Sequence, residues 1–206
     1  MKTIPRVAVL LPLLLGCATG ELNYTAPVAP PTVSNSATLP VPVDTAWVQI
    51  IPRLGKSFFV INTVDRPNLI NLSYNGDPEA YVDCGMLQST VQQTAGAEQR
   101  HYEFPAARAR SVYEIVMKKA VYTVTRTMDL EGRINIVLEA TGRDHTTVTV
   151  NTRYVLSKNH RFADGSSLNE SISFNTGGND EFQDSGTRCY AKGTLESELL
   201  GVLTGR

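Results

Sequence analysis

A period-two pattern running from Val121 to Val155 constrains this chain more than any other feature. Val121-Tyr122-Thr123-Val124-Thr125-Arg126 alternates apolar with polar, as do Ile134-Asn135-Ile136-Val137-Leu138 and Thr147 to Val155. Side chains of a strand point to opposite faces in turn, so such alternation describes strands with one buried and one wet face. Asp129-Leu130-Glu131-Gly132 and Gly142-Arg143-Asp144 read as the turns between them. The arrangement predicts an antiparallel meander.

Elements on either side fit around that meander. Asp44-Thr45 reads as the cap of a short helix carrying Trp47, Ile50, Ile51 and Leu54 on one face, with Pro52 expected to kink or shorten it. Phe58 to Thr63 and Leu69 to Tyr74 read as strands around the turn Asp65-Arg66-Pro67-Asn68, and Tyr81 to Val91 as a third strand holding Cys84. Pro105 to Lys118 is read as a helix with Ala106, Ala109, Tyr113 and Val116 on one face, against a strand over Val112–Met117. Ser171 to Phe174 reads as a short strand. A C-terminal helix starting near Thr194 places Leu195, Leu199, Val202 and Leu203 on one side, with Glu196 and Glu198 in its first turns. The fold class expected is α+β: one twisted antiparallel sheet with helices packed on one face.

The first 17 residues, MKTIPRVAVLLPLLLGC, hold a positive start (Lys2, Arg6) and an apolar run from Val7 to Leu15. Nine helical residues span roughly 14 Å, against about 30 Å of bilayer core, so this is read as a secretory signal and not a membrane span. Leu14-Leu15-Gly16-Cys17 resembles the lipobox of bacterial lipoproteins. The resemblance implies cleavage before Cys17, lipid on its thiol and its new amino group, and stable membrane anchoring. Ala18 after the Cys implies the outer membrane, with the domain facing the periplasm. The expected organisation is 1–16 as signal, 17–43 as lipidated Cys plus tether, and 44–206 as the domain. Five prolines between Pro27 and Pro42 suggest a disordered tether that holds the domain off the membrane. After cleavage 17 basic residues face 20 acidic ones, and the chain as a whole carries a formal charge of -1. No basic field points to nucleic acid.

In an oxidising periplasm Cys84 and Cys189 most simply pair, the alternative being two separately buried thiols. The absence of CxxC argues against redox catalysis and zinc ribbons. His101, His145 and His160 lack metal-ligand spacing and read as surface loop residues; HExxH and GxSxG are absent. Three carboxylates in Gly177 to Asp184 suggest a weak Ca²⁺ loop or a solvated one, and Asp77 and Asp83 read as turn or cap residues. Arg108, Arg110, Lys118, Lys119 and Arg126 form a modest basic cluster that would suit an acidic partner or glycan, or be ordinary surface. The sequons at Asn23, Asn71 and Asn169 carry little meaning in a bacterial lipoprotein. No cofactor is expected.

Trp47 to Leu54, Phe59-Val60-Ile61 and Leu69 to Tyr74 together resemble the opening of a BamC-type domain, from a lipoprotein of the barrel-assembly machinery with a helix-grip architecture. Pro52, the Cys pair and the single domain depart from that family. The first expectation for function is a non-enzymatic, membrane-anchored binding subunit of an envelope assembly or secretion complex, docking through a sheet edge. A second is a carrier or sensor of a small apolar ligand held between sheet and helix, in a pocket lined by Trp47, Phe59 and Tyr154. A third is a cell-wall or glycan hydrolase, which requires two carboxylates in one cleft.

Overall fold

The computed structural model describes residues 17–30, 32, 34–65, 69–93 and 98–205. The signal segment 1–16 and the core of the turn at Arg66-Pro67-Asn68 lie outside them. The elements in chain order are β1 (Ala18–Thr25), β2 (Ser36–Leu39), α1 (Val43–Leu54), β3 (Val60–Asp65), β4 (Leu69–Gly76), α2 (Pro78–Tyr81), β5 (Val82–Asp83) and β6 (Met86–Gln93). There follow β7 (Arg100–Pro105), β8 (Arg110–Met117), β9 (Ala120–Ala140), β10 (Thr146–Phe162), β11 (Ser167–Asn175), β12 (Asn179–Phe182), β13 (Thr187–Ala191) and α3 (Thr194–Thr204). Strand makes up 59% of the described residues and helix 15%, which places the fold in the mainly-β or α+β class.

A seven-stranded sheet is the frame. Its order is β11-β10-β9-β4-β3, with β2 also on β10 and β8 also on β9. β9 and β10 form one long antiparallel hairpin in unbroken register from Thr146↔Ala140 to Phe162↔Val124. β9 therefore runs straight through Asp129–Gly132, where the sequence suggested a turn. Gly132 serves packing there: an added Cβ would lie 3.2 Å from Leu195 Cδ2 of α3 and 3.7 Å from the Tyr74 carbonyl oxygen. The lack of a side chain at Gly132 lets the helix close on the sheet without a shift of Leu195.

Directly paired residues share a face, so the register gathers one buried side. Val124, Met128, Leu130, Ile134, Ile136 and Leu138 of β9 join Val148, Val150, Tyr154 and Leu156 of β10 in the core. Ile70 and Leu72 of β4 and Ile172 and Phe174 of β11 extend it. α1 and α3 lie over one half of this face and contribute Trp47, Ile50, Leu54, Leu195, Leu199 and Leu203. Leu195, Leu199 and Leu203 are the apolar stripe expected of the C-terminal helix, and Val202 is partly exposed beside them. A three-stranded sheet, β1-β6-β7, lies against β8, where the rings of Phe104 and Tyr113 are 5.1 Å apart. A third small sheet, β12-β13-β5, flanks β11.

Four expectations need correction. The tether is not free, because Ala18–Thr25 pairs with β6 along its whole length and Ser36–Leu39 pairs with β10. β1 leaves most side chains in water, so its attachment is a backbone ladder that hydropathy does not register. The stretch read as a helix over 105–118 is instead β8, hydrogen-bonded to β9 from Arg110↔Thr127 to Met117↔Ala120. Only two residues of the third strand expected over Tyr81–Val91 precede Cys84, and Tyr81 itself ends α2. Finally, α1 continues through Pro52 for its last turn. Val48, whose carbonyl loses its partner to the proline, is exposed, so water satisfies that group at little cost.

The disulfide expected between Cys84 and Cys189 is present, across a separation of 105 residues. It ties the link between β5 and β6 to β13, so the chain leading into one small sheet is held covalently to the other. A loop of this length is worth about 4–5 kcal/mol in the chain-entropy treatment. We therefore expect Cys84→Ser to lower the unfolding free energy by up to that amount in guanidinium titrations. The wild type in reductant should fall to the same value.

Candidate functional site

An apolar cleft of about 730 Å³ opens where the end of α1, the approach to β3 and α3 meet, walled by Phe58, Phe59, Tyr74, Tyr81 and Val202. Its aromatic wall is continuous: Phe59 and Tyr74 have ring centroids 5.5 Å apart, and Tyr74 meets Tyr81 edge-on at 5.3 Å. Backbone structure positions each ring. Tyr74 is on β4 opposite Gly132, and its ring lies over Gly76, where an added Cβ would come within 2.4 Å of it. Tyr81 ends α2, which the Asp77 carboxylate caps by accepting from Glu79 N–H at 3.1 Å. Arg53, which also borders the cleft, donates to the Leu203 carbonyl at 2.6 Å and so pins the end of α1 to α3. Phe58 is 92% exposed at the mouth.

Chemically the cleft is suited to binding. Tyr81 Oη donates to Glu198 Oε2 at 3.0 Å and lies 3.2 Å from Tyr74 Oη. Burial, then its hydrogen bonds to Tyr74 and Glu198, push its phenol well above the usual tyrosine range, so it stays protonated. The lining holds one carboxylate, Glu198. What it offers is aromatic surface with Arg53 and Lys56 beside it.

On the opposite face of the sheet a polar groove of about 910 Å³ follows Arg133, Asn135, Asn151, Arg153 and Asn175, closed on one side by the chain around Asn35. Asn135 and Asn151 are directly paired, as are Arg133 and Arg153. Some of the polar groups here are engaged: Arg133 Nε reaches Glu131 at 2.7 Å, Arg153 donates to Ser173 Oγ at 2.9 Å, and Asn35 Nδ2 donates to the Val150 carbonyl at 3.0 Å. The sequence reading missed this groove. Its signal was the polar half of the alternation, with Arg or Asn at matching odd positions of β9 and β10.

Charges sit inside the half of the sheet that the helices leave uncovered. Lys158, 2% exposed, pairs with Glu170 Oε2 at 2.5 Å, and its ammonium stands 4.1 Å from the centre of the Phe182 ring. Arg126, 1% exposed, lies opposite His160 in the register. Burial lowers Arg126 to about 10, so it remains cationic at neutral pH. Nη1 and Nη2 of Arg126 and Nε2 of His160 have no hydrogen-bond partner among the described residues.

The structure separates the residues that the sequence singled out. Of the proposed pocket trio, Phe59 lines the cleft, whereas Trp47 and Tyr154 are packed in the core. Tyr154 stacks on Phe174 at 5.5 Å, and its hydroxyl donates to the buried Glu196 carboxylate at 2.7 Å. Cys17 is exposed beside β1. The basic cluster dissolves: Arg126 is buried, Arg108 pairs with Glu79 at 3.6 Å, and Arg110 and Lys118 stand at opposite ends of β8, roughly 27 Å of strand apart. His101 and His160 lie on β7 and β10, not in loops. The acidic stretch expected to be a loop is largely strand β12, where Asp180 accepts from the backbone N–H of Glu181 at 2.8 Å and Glu181 pairs with Arg188 at 2.8 Å. Among the described residues no group of three or more His, Cys, Asp or Glu is arranged to hold a metal ion. Asp83 accepts from Gly85 N–H at 2.8 Å, a turn role of the kind expected.

No protein-family model, no curated protein and no solved structure matches this chain.

The buried cluster sets a pH dependence. Burial foremost, then Arg126 and Lys158, push His160 down to about 4 from its ordinary 6.5. Between those values the unfolded chain binds a proton that the folded chain refuses, so stability falls as pH falls through the window. The urea midpoint should therefore drop between about pH 7 and pH 4.5. His160→Gln should remove part of that drop, and an unchanged profile would count against this assignment.

Proposed function

We propose that this chain is a non-enzymatic binding lipoprotein of the bacterial envelope. In this reading it is cut before Cys17, anchored by lipid in the outer membrane and turned toward the periplasm, where it serves as a subunit of an assembly or secretion complex. The observation that carries the binding role is Phe58, 92% exposed above the aromatic cleft. Phe58 adjoins the rings of Phe59, Tyr74 and Tyr81, so the exposed apolar surface is a contiguous patch of the kind that marks an interaction site. β3, which begins two residues later, ends the strand order of the large sheet and leaves Val60 59% and Val64 44% exposed. An added strand of the partner along β3 would drop an apolar side chain into the cleft, giving backbone affinity and side-chain selectivity together. The packing of α1 and α3 across one face of the β9–β10 hairpin supports a helix-grip-like arrangement. Neither a nucleic acid nor a cofactor enters this reading.

The cleft also favours a second reading, a carrier or sensor of a small apolar ligand, because its volume and aromatic walls suit one. Nothing favours the hydrolase reading over these two: the cleft lining offers one carboxylate and the groove lining none, while two smaller pockets each hold a pair, Glu79 with Asp83 and Asp129 with Glu170.

Both readings are tested by placing the photocrosslinker p-benzoylphenylalanine at position 58 of the full chain in cells. A light-dependent protein adduct, lost in the Cys17→Ser background, is expected for the complex subunit. An adduct of lipid or metabolite mass alone would replace it with the carrier, and no adduct of either kind would end both. Phe58→Ser should leave stability within about 0.5 kcal/mol, since the ring is in water, while removing the interaction.

A further inference from the structure

The tether expected to hold the domain off the membrane is occupied in the fold from its second residue. Ala18 is buried, pairs with Gln93, and donates its N–H to the Lys119 carbonyl at 3.0 Å. One peptide unit, about 3.8 Å between Cα atoms, separates Ala18 from Cys17. Whatever lipid Cys17 carries is therefore held at the β8–β9 turn. That turn presents Met117, 40% exposed, followed by exposed Lys118 and Lys119.

The turn's backbone supplies an independent observation. Met117 pairs with Ala120, leaving Lys118 and Lys119 as a two-residue hairpin loop with φ of 49° and 66°. Asn-Gly is the sequence that suits such a loop, because left-handed backbone is unfavourable for a residue with a long side chain. These two lysines are the only non-glycine residues with positive φ among the described residues. Costly local geometry of this kind is retained where the side chains are useful.

We propose that the Met117-Lys118-Lys119 turn is a membrane-contact tip. Resting on the lipidated-Cys17 reading above, it places both ammonium groups on anionic lipid headgroups and Met117 at the interface, with the acyl chains of Cys17 beside them. The domain then stands on the membrane in one orientation instead of swinging from a long arm.

The test uses the full-length mature protein in vesicles of phosphatidylethanolamine and phosphatidylglycerol. Mass spectrometry first asks whether Cys17 is lipidated; an unmodified Cys17 would overturn the anchoring reading and this inference with it. With lipidation present, a nitroxide is attached through Met117→Cys, and in a second sample through Val48→Cys on exposed α1. The label at 117 should be shielded from a water-soluble relaxing agent and open to oxygen, and the label at 48 the reverse. In the Met117→Cys background, Lys118→Asn with Lys119→Gly installs the favoured turn, so folding is kept and thermal stability rises. The same change should lower the ratio of tip-bound to tip-free protein roughly 30-fold, the worth of two lysines at an anionic surface. A label at 117 as open to water as the one at 48, on protein proven to be lipidated, would overturn the tip while leaving the anchor intact.

Discussion

Every layer of this protein is attached to the hydrogen-bonded ladder between β9 and β10. Seventeen consecutive pairs, from Thr146↔Ala140 to Phe162↔Val124, hold it in one register. β4 and β8 divide the outer edge of β9 between them, and β2 and β11 divide that of β10. A slip of one residue would turn Ile134, Ile136, Val148 and Val150 into water and bury their polar neighbours. The register is thus the condition under which α1 and α3 have an apolar face to sit on.

That shared face has two characters. Under the helices it is aliphatic; beyond them it carries Arg126, Lys158, His160 and Glu170 at positions of the same phase. Burying charge is costly, and the Lys158–Glu170 pair offsets it only through close geometry and the neighbouring Phe182 ring and Ser185 hydroxyl. The helix-covered half is bordered by the aromatic cleft, and the far end of the hairpin carries the β8–β9 turn. From Ala120 to Gly132, opposite Tyr74, β9 spans roughly 40 Å of strand, ample distance to keep cleft and turn apart. In the proposed anchoring the rigid hairpin, and not a flexible arm, sets how far from the membrane a partner is met.

Much of this was legible in the primary structure because local pattern and final environment agreed. The alternation in β9 and β10, the Leu195-Leu199-Leu203 stripe and the pairing of Cys84 with Cys189 are examples. β8 was misread because Ala106, Ala109, Tyr113 and Val116 satisfy a helical spacing, while pairing along β9 rewards the β-branched run around them. β1 was missed because its value lies in backbone hydrogen bonds. Gly132 looked like a turn residue because glycine serves turns and close packing equally well.

The sequence by itself determined an antiparallel sheet with one apolar face, two amphipathic helices to cover it, and a cysteine pair. Tertiary structure decided the rest: that Trp47 and Tyr154 belong to the core while Phe59 opens onto a cleft, that Arg126 is inside and Lys118 and Lys119 outside, and that Cys17 sits against the β8–β9 turn. The reason is physical. Periodicity along a chain reports which side of an element is apolar, whereas burial of a charge or openness of a cleft depends on what the other elements place against that side.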